Sequence, residues 1–466
     1  MSNERRVLVI GLDCAAPQLI FERWRDELPN LRRLADEGAW GPLESIIPPI
    51  TVPAWSAMMT SRDPGELGFY GFRNRRHHTY EELHTANSTY VSDPTVWDVL
   101  SQEGKEVVLI GVPQTYPPKP VNGCLVSCFL TPGTESQYTH PVELKAEVEA
   151  VTGGYMLDVE GFRSDDKEGI LRQIQEMTEK RFRLVKHLMR TRPWDFFMFV
   201  EIGVDRIHHG FWKYSDPSHR KYQAGHRFEH AIRDYYRYVD GQIGELLAQI
   251  DDDTVVFVLS DHGAKNMDGG ICINEWLRRE GYLHLKEEPS SVGPLKVDQV
   301  DWSRTMAWGS GGYYGRLFLN VRGREPEGVV APEDYERVRE EIKAKLEALP
   351  DEQGRPLNNR VFKPEDIYRE CRNIPPDLII YFDDLAWRSV GSIGSRAVYT
   401  FEYDTGPDDA NHAQHGIFTM WDPRRRNGNN GSHRLENLHL LDVAPTILDV
   451  YGLPPAQGMR GRVIPR

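Results

Sequence analysis

Cysteine is scarce in this chain: 466 residues hold five, Cys14, Cys124, Cys128, Cys272 and Cys371. Odd in number and scattered, they form no disulfide framework, and Cys124 and Cys128 lack a second pair at zinc-site spacing. They read as reduced, buried thiols of a cytoplasmic protein. Long apolar runs are missing as well, and no window approaches the length that spans a bilayer. The N-terminal MSNERRVLVIGLDC carries an apolar stretch too short for a secretory leader and shaped like a buried strand. Positive charge is short too: 56 Lys and Arg against 70 Asp and Glu leave a net charge of −14. That balance argues against a nucleic acid polymer or an anionic membrane as the main partner. An acidic chain that handles an anionic substrate needs local cations, supplied by clustered arginines or by bound metal. Repeats and low-complexity segments are also absent.

What is present is ordinary globular composition, 39% hydrophobic and 27% charged, with short apolar runs between longer amphipathic stretches. Strands are predicted at Val7–Leu12, Val107–Val112, Phe196–Ile202, Thr254–Ser260, Leu317–Val321, Leu378–Phe382 and Gly416–Trp421. Helices are predicted at Pro53–Thr60, Glu168–Met189, Phe228–Ile250, Pro332–Leu349 and Leu440–Tyr451. Strands that are apolar throughout, with helices between them, indicate an α/β fold with a mostly parallel central sheet covered on both faces. The span 113–166, rich in Pro, Gly and Thr, reads as loop or cap. The span 287–405 holds its own strands and a charged helix and reads as an inserted subdomain. The catalytic core is then discontinuous, formed by 1–286 and 406–466.

Ligands in parallel sheets bind at the carboxyl ends of the strands, so the residues that end each apolar run carry the most information. VLVIGLD ends in Asp13. FFMFVEI runs into GVDRIHHGFW, with Asp205 and His209 four residues apart. TVVFVLSDHG ends in Asp261 and His262, and DDANHAQHGIFTM sets His412 and His415 just before a strand. Singly, these are turn residues, a surface helix pair or solvated loop. Together they supply oxygen and nitrogen ligands enough for two sites suited to Zn²⁺ or Mn²⁺. Two such ions form the clamp that stabilises an in-line phosphoryl transfer, and they provide the positive field that the composition lacks.

Thr51 stands in IIPPITVPAWSAMMTS, just ahead of the helix predicted from Pro53. A hydroxyl there is commonly a helix cap. Beside metal ligands it becomes a candidate nucleophile, since coordination is one of the few ways to activate a threonine. The helix N-terminus adds backbone N–H donors for phosphate oxygens.

The segments VIGLD, PPITVPAWSAMMTS, DRIHHGFWKYSDP, VLSDHG, LFLNVRGREPEG and LLDVAPTILDVYGLP resemble the alkaline phosphatase superfamily. Within it they resemble the type I phosphodiesterase/nucleotide pyrophosphatase branch, specifically its predicted phosphohydrolase/phosphomutase members. The similarity runs from residue 7 to about residue 455. It implies an alkaline-phosphatase-like core, one metal held by Asp205, His209 and a late histidine, and a second held by Asp13, Asp261 and His262. The Thr51 oxygen then faces both metals. The late ligand is His412, because the family's histidine stands four before the Gly of G-I-F, with His415 in reserve. His208 points elsewhere.

Two departures bear on the substrate. Nucleotide pyrophosphatases carry an asparagine donor to the phosphate after the nucleophile helix; here Phe72 holds the nearest position, with Arg73 and Asn74 beside it. Sulfatases need Cys or Ser in C/S-x-P-x-R, whereas Thr51 and Trp55 stand at those places. Trp55 suits either stacking on a substrate ring or core packing. The basic run Arg73, Arg75, Arg76, His77 and His78 suits a second phosphate or a solvated loop, and GSGGYYG reads as a tight turn or an active-site edge. The expected protein is a two-metal hydrolase of small phosphodiesters or pyrophosphates, acting through a phosphothreonine. A phosphomonoesterase or phosphomutase is the alternative, and a non-catalytic metal scaffold the weaker one.

Overall fold

The computed structural model describes residues 5–81, 83–425 and 433–465. Its central sheet is built from β1 (Arg6–Leu12), β2 (Ala39–Glu44), β3 (Val107–Ile110), β4 (Gly123–Val126), β5 (Thr139–His140), β6 (Phe196–Glu201) and β7 (Thr254–Leu259). A short antiparallel pair follows, β8 (Gly263–Asn266) with β9 (Ala410–Ala413), and β10 (His415–Trp421) returns to the main sheet. The order is β2-β10-β7-β1-β6-β3-β4-β5, with the two short strands His433–Arg434 and Leu438–His439 both pairing with β2. The five central strands β7, β1, β6, β3 and β4 are parallel, and β10 runs antiparallel to β7 and β2.

Alternation along these strands sends side chains to two apolar layers. Leu8, Ile10 and Leu12 pack with Phe197 and Phe199 against α1 (Pro29–Asp36), α3 (Lys167–Thr191), α4 (Gly203–Ser215) and α5 (Ala231–Leu247). Val7 and Val9 pack with Phe196 and Met198 against α2 (Thr51–Thr60) and α6 (Val443–Val450). Both faces are thus covered, which is why the strands are apolar at every position. Gly11 breaks that run for a steric reason: a Cβ there would lie 2.7 Å from the Trp55 ring.

Two local expectations change. The span 113–166, expected as loop or cap, contributes β4 and β5 to the sheet and the helix Leu144–Thr152; short strands rich in turn residues carry too little period to be seen. A third apolar cluster gathers residues from Ile271 to Val398, so it begins before 287. It surrounds an antiparallel sheet of Ala307–Ser310, Gly315–Leu319, Leu378–Tyr381 and Arg360–Phe362. The GREP segment anchors this sheet: both Nη atoms of Arg324 donate to Asp377 at 2.8 Å, and Glu325 accepts from Arg75 at 3.2 Å.

Candidate active site

β1 and β7 end side by side, so the residues that follow them, Asp13, Asp261 and His262, meet at one point. Each offers one ligand atom, and all lie within 4.8 Å of one another. The second set meets the same limit: Asp205 and His209, one turn apart on α4, with His412 from β9. Pairing of β8 with β9 sets Ala264 opposite His412. The register carries a residue from the far end of the chain to the first set, and the rings of His262 and His412 stack 3.8 Å apart. All six residues are buried.

Their hydrogen bonds fix which nitrogens are free. His262 Nδ1 faces the Gly263 carbonyl at 3.1 Å and His412 Nδ1 faces the Pro49 carbonyl at 2.8 Å. A carbonyl only accepts, so both Nδ1 atoms carry the proton and both Nε2 atoms present lone pairs. These lone pairs meet carboxylate oxygens: His262 Nε2 lies 3.1 Å from Asp261 Oδ2, and His412 Nε2 lies 3.8 Å from Asp205 Oδ1. Asp13 Oδ1 and Asp261 Oδ2 have no hydrogen-bond donor among the described residues. Burial, then the charges of Asp261 and Asp205, push the Asp13 carboxyl well above its usual range. Acceptors that converge without donors repel unless a cation stands between them, so the residues fit divalent metal.

Thr51 is the first residue of α2, after Ile50 at the cap position. The expected capping role is therefore not realised, and the hydroxyl is left to donate to His262 Nε2 at 3.3 Å. Pro53 falls inside the first turn, where its missing N–H removes no helical bond. The amides of Thr51 and Val52 start the helix without intrahelical acceptors.

Around the second set lies a charged layer that sequence reasoning missed. His209 Nδ1 pairs with Asp408 at 2.7 Å, and its Nε2 lies 3.1 Å from Asp205. Burial opposes the charge on His209, but Asp408 and Asp205 outweigh it and lift its pKa to about 9. Asp408 also accepts from Arg163 Nε and the Tyr313 hydroxyl, both at 2.9 Å, and Tyr313 stacks on His209 with centroids 4.8 Å apart. Arg206 donates to Asp205 and is gripped by Asp158 at 2.6 and 2.8 Å. The text DDANH and DRIHH carried Asp408 and Arg206 beside expected ligands, but nothing in it showed whom they meet.

Other expected site residues lie elsewhere. Trp55 is fully buried and donates its Nε1–H to Asp13 Oδ2 at 2.8 Å, so it braces a carboxylate of the first set from within the core. Asn74 accepts from the Tyr70 amide and donates to the Gly71 carbonyl, at 2.7 and 2.8 Å, which closes a turn and uses both ends of the amide. Arg73 reaches the site cavity. His415 is exposed on β10 and belongs to neither set. His208 turns to the Tyr236 hydroxyl at 3.1 Å.

Thr51, Asp205, Arg206 and His412 form part of the wall of a cavity of about 1010 Å³. More of the wall comes from the GSGGYYG hairpin, including Tyr313 and Tyr314.

Buried acceptors that fit divalent cations beside a threonine hydroxyl suit hydrolases of phosphoric ester bonds. Within that class, the chain belongs to the type I phosphodiesterase/nucleotide pyrophosphatase family, whose model matches residues 7–418. Among solved structures it is similar to human ectonucleotide pyrophosphatase/phosphodiesterase 5, at 13% identity and a TM-score of 0.56, covering 98% of this chain and 97% of that one. An inactive threonine-to-alanine variant of the murine protein, in complex with AMP, matches at 13% identity, 98% and 97% coverage and TM-score 0.55. Phosphonoacetate hydrolase from Sinorhizobium meliloti 1021, in complex with phosphonoacetate, matches at 16% identity, 96% coverage of each chain and TM-score 0.61. No curated protein matches the chain. No helix among the described residues is long and apolar enough to cross a membrane.

Proposed function

We propose that the protein cleaves a phosphodiester or pyrophosphate bond of a small, nucleotide-type substrate, with Thr51 as the nucleophile. The observation that carries this reading is the contact of the Thr51 hydroxyl with His262 Nε2, at 3.3 Å, beside buried carboxylate oxygens that have no donor among the described residues. Asp205, His209 and His412 would hold one divalent ion, and Asp13, Asp261 and His262 the other, with Thr51 facing both. Zinc suits the mixed oxygen and nitrogen ligands best, and manganese is the alternative. When bound, the ions supply the positive charge that lowers the threonine pKa and neutralises the phosphoryl oxygens.

The chain's own groups do the rest. Thr51 Oγ attacks phosphorus, the leaving oxygen departs on the opposite side, and a phosphothreonine forms. Water then attacks that phosphorus, the P–Oγ bond breaks, and a proton from the water restores the threonine hydroxyl. The open amides of the first turn of α2, and Arg206 at the cavity wall, are placed to receive phosphoryl oxygens. A cavity of about 1010 Å³ exceeds the needs of a simple monoester and favours a substrate with two substantial arms. The AMP complex of the murine neighbour supports a nucleotide arm. Five unpaired cysteines support a reducing, cytoplasmic location. The span 287–405 would act as a subdomain that shapes the cavity.

Bis-p-nitrophenyl phosphate hydrolysis, measured with Zn²⁺ or Mn²⁺ added back, tests the reaction. Thr51→Ala is expected to abolish it while both metals stay bound, and full activity in that variant contradicts the nucleophile assignment. Faster release of phosphate from monoesters than cleavage of diesters would favour the phosphomonoesterase or phosphomutase alternative.

A further inference from the structure

Six arginines line the site cavity: Arg73, Arg75, Arg163, Arg206, Arg316 and Arg388. In a chain of net charge −14 that concentration is a local reversal, and its members are not equivalent. Arg75 pairs with Glu325, Arg163 with Asp408, and Arg206 with Asp158 and Asp205. Arg388 has Asp404 at 3.8 Å and the Thr405 hydroxyl at 3.0 Å. Arg316 differs from these five in being buried with no carboxylate partner among the described residues.

Arg316 is 9% exposed. It sits one residue past the GSGGYYG segment, on the strand Gly315–Leu319 that forms one side of the hairpin. Two of its donors are used by neutral groups, the Arg73 carbonyl and the Ser310 hydroxyl, the latter at 2.8 Å. Its Nε has no hydrogen-bond partner among the described residues. Burying a guanidinium without a counter-charge is unfavourable, and neutral acceptors offset only part of that loss. The hairpin nevertheless holds the group in place, with Tyr314 beneath it at 5.8 Å. Arg73, exposed and also lining the cavity, stands next to it without an ion pair among the described residues. Trp308 and Phe318, on the same hairpin, supply the apolar lining nearby.

We infer that Arg316, assisted by Arg73, is the anchor for a second anionic group of the substrate, a phosphate or carboxylate separate from the phosphorus that Thr51 attacks. The inference deepens the reading of the cavity as a phosphoester site and narrows its substrate class to dianionic or polyanionic esters. Arg316 would act in specificity, completing its ion pair when the substrate enters and leaving the reacting atoms to the other end of the cavity. A planar fork matches an oxyanion through paired hydrogen bonds, which a single ammonium does not reproduce.

The test is a calorimetric titration of the zinc-loaded protein with alkyl monophosphates, the corresponding α,ω-bisphosphates and the ω-carboxyalkyl phosphates, over chains of about three to eight carbons. At the chain length that spans the cavity, the second anion is expected to tighten binding about tenfold or more. Arg316→Gln should shrink that advantage to less than about twofold. The carboxylate series separates a phosphate from a carboxylate ligand. No advantage at any length in the wild type, or an advantage that survives Arg316→Gln, overturns the inference. A crystal structure of the unsubstituted protein with the best bisphosphate reads the same claim without relying on a variant that folds. The second phosphate should lie on Arg316, and a phosphate seated elsewhere contradicts it. Failure of every diester to turn over would sink the proposed reaction, whereas these affinities judge Arg316 independently of turnover.

Discussion

The two candidate metal-binding sets stand side by side, joined by the stacked rings of His262 and His412, yet are built differently. Asp13, Asp261 and His262 follow two adjacent strands of the central sheet and are braced by rigid, mostly uncharged groups: the Trp55 indole, the Cys14 amide at 3.2 Å and the Gly263 carbonyl. Asp205, His209 and His412 come from a helix and a short outer strand. Apart from the Pro49 carbonyl on His412, they are held by charge, through Arg206 with Asp158 and through Asp408 with Arg163 and Tyr313. Asp158, Arg163 and Tyr313 come from segments that also form the cavity wall. The first set is therefore a fixture of the sheet, whereas the second is coupled to the wall of the cavity. Disturbing the wall should change the second set and leave the first alone.

Several substitutions break or sharpen that contrast. The largest effect belongs to the residue between the sets: Thr51→Ala should lower turnover by at least about a thousandfold while metal analysis still finds both ions. Next comes Asp408→Asn, which removes the charge that orients His209. Metal affinity should fall about 10- to 100-fold at one site only, seen as one weak and one unchanged step in a chelator titration. Trp55→Phe tests the first set in the same assay. Loss of a charge-assisted hydrogen bond to Asp13 should weaken the other step about tenfold. The same step weakening in both variants would erase the distinction between the sets. At the bottom of the scale, His415→Ala should leave metal content and turnover within about twofold, as expected of an exposed side chain away from the site.

How much of this was legible in the text follows from where each group gets its role. Five of the six candidate ligands follow strands or sit one turn apart, so periodicity and spacing place them before any tertiary contact is known. Position before a strand did not separate His412 from His415; the family resemblance chose between them, and the pairing of β8 with β9 brings His412 to Asp205 and His209. Asp408 could not be read, because its partner His209 lies 199 residues away and the bond exists only after folding. Trp55 was ambiguous for the same reason. An aromatic near a nucleophile packs inward or outward depending on the neighbouring strand, and here Gly11 leaves the space that draws it in. Asn74 stands only beside the position nearest the family's phosphate donor, which left that donor open, and Asn satisfies local turns just as well. Helix α4 is missing from the predicted elements; it is buried along most of its length, and its polar residues Asp205, His208 and His209 face inward.

The measurement that bears most directly on the account is metal stoichiometry by equilibrium dialysis and elemental analysis of the wild type, Asp261→Asn and Asp205→Asn. Two equivalents in the wild type and one in each variant are predicted. A single equivalent in the wild type, or two retained in both variants, would contradict a paired-ion site around Thr51.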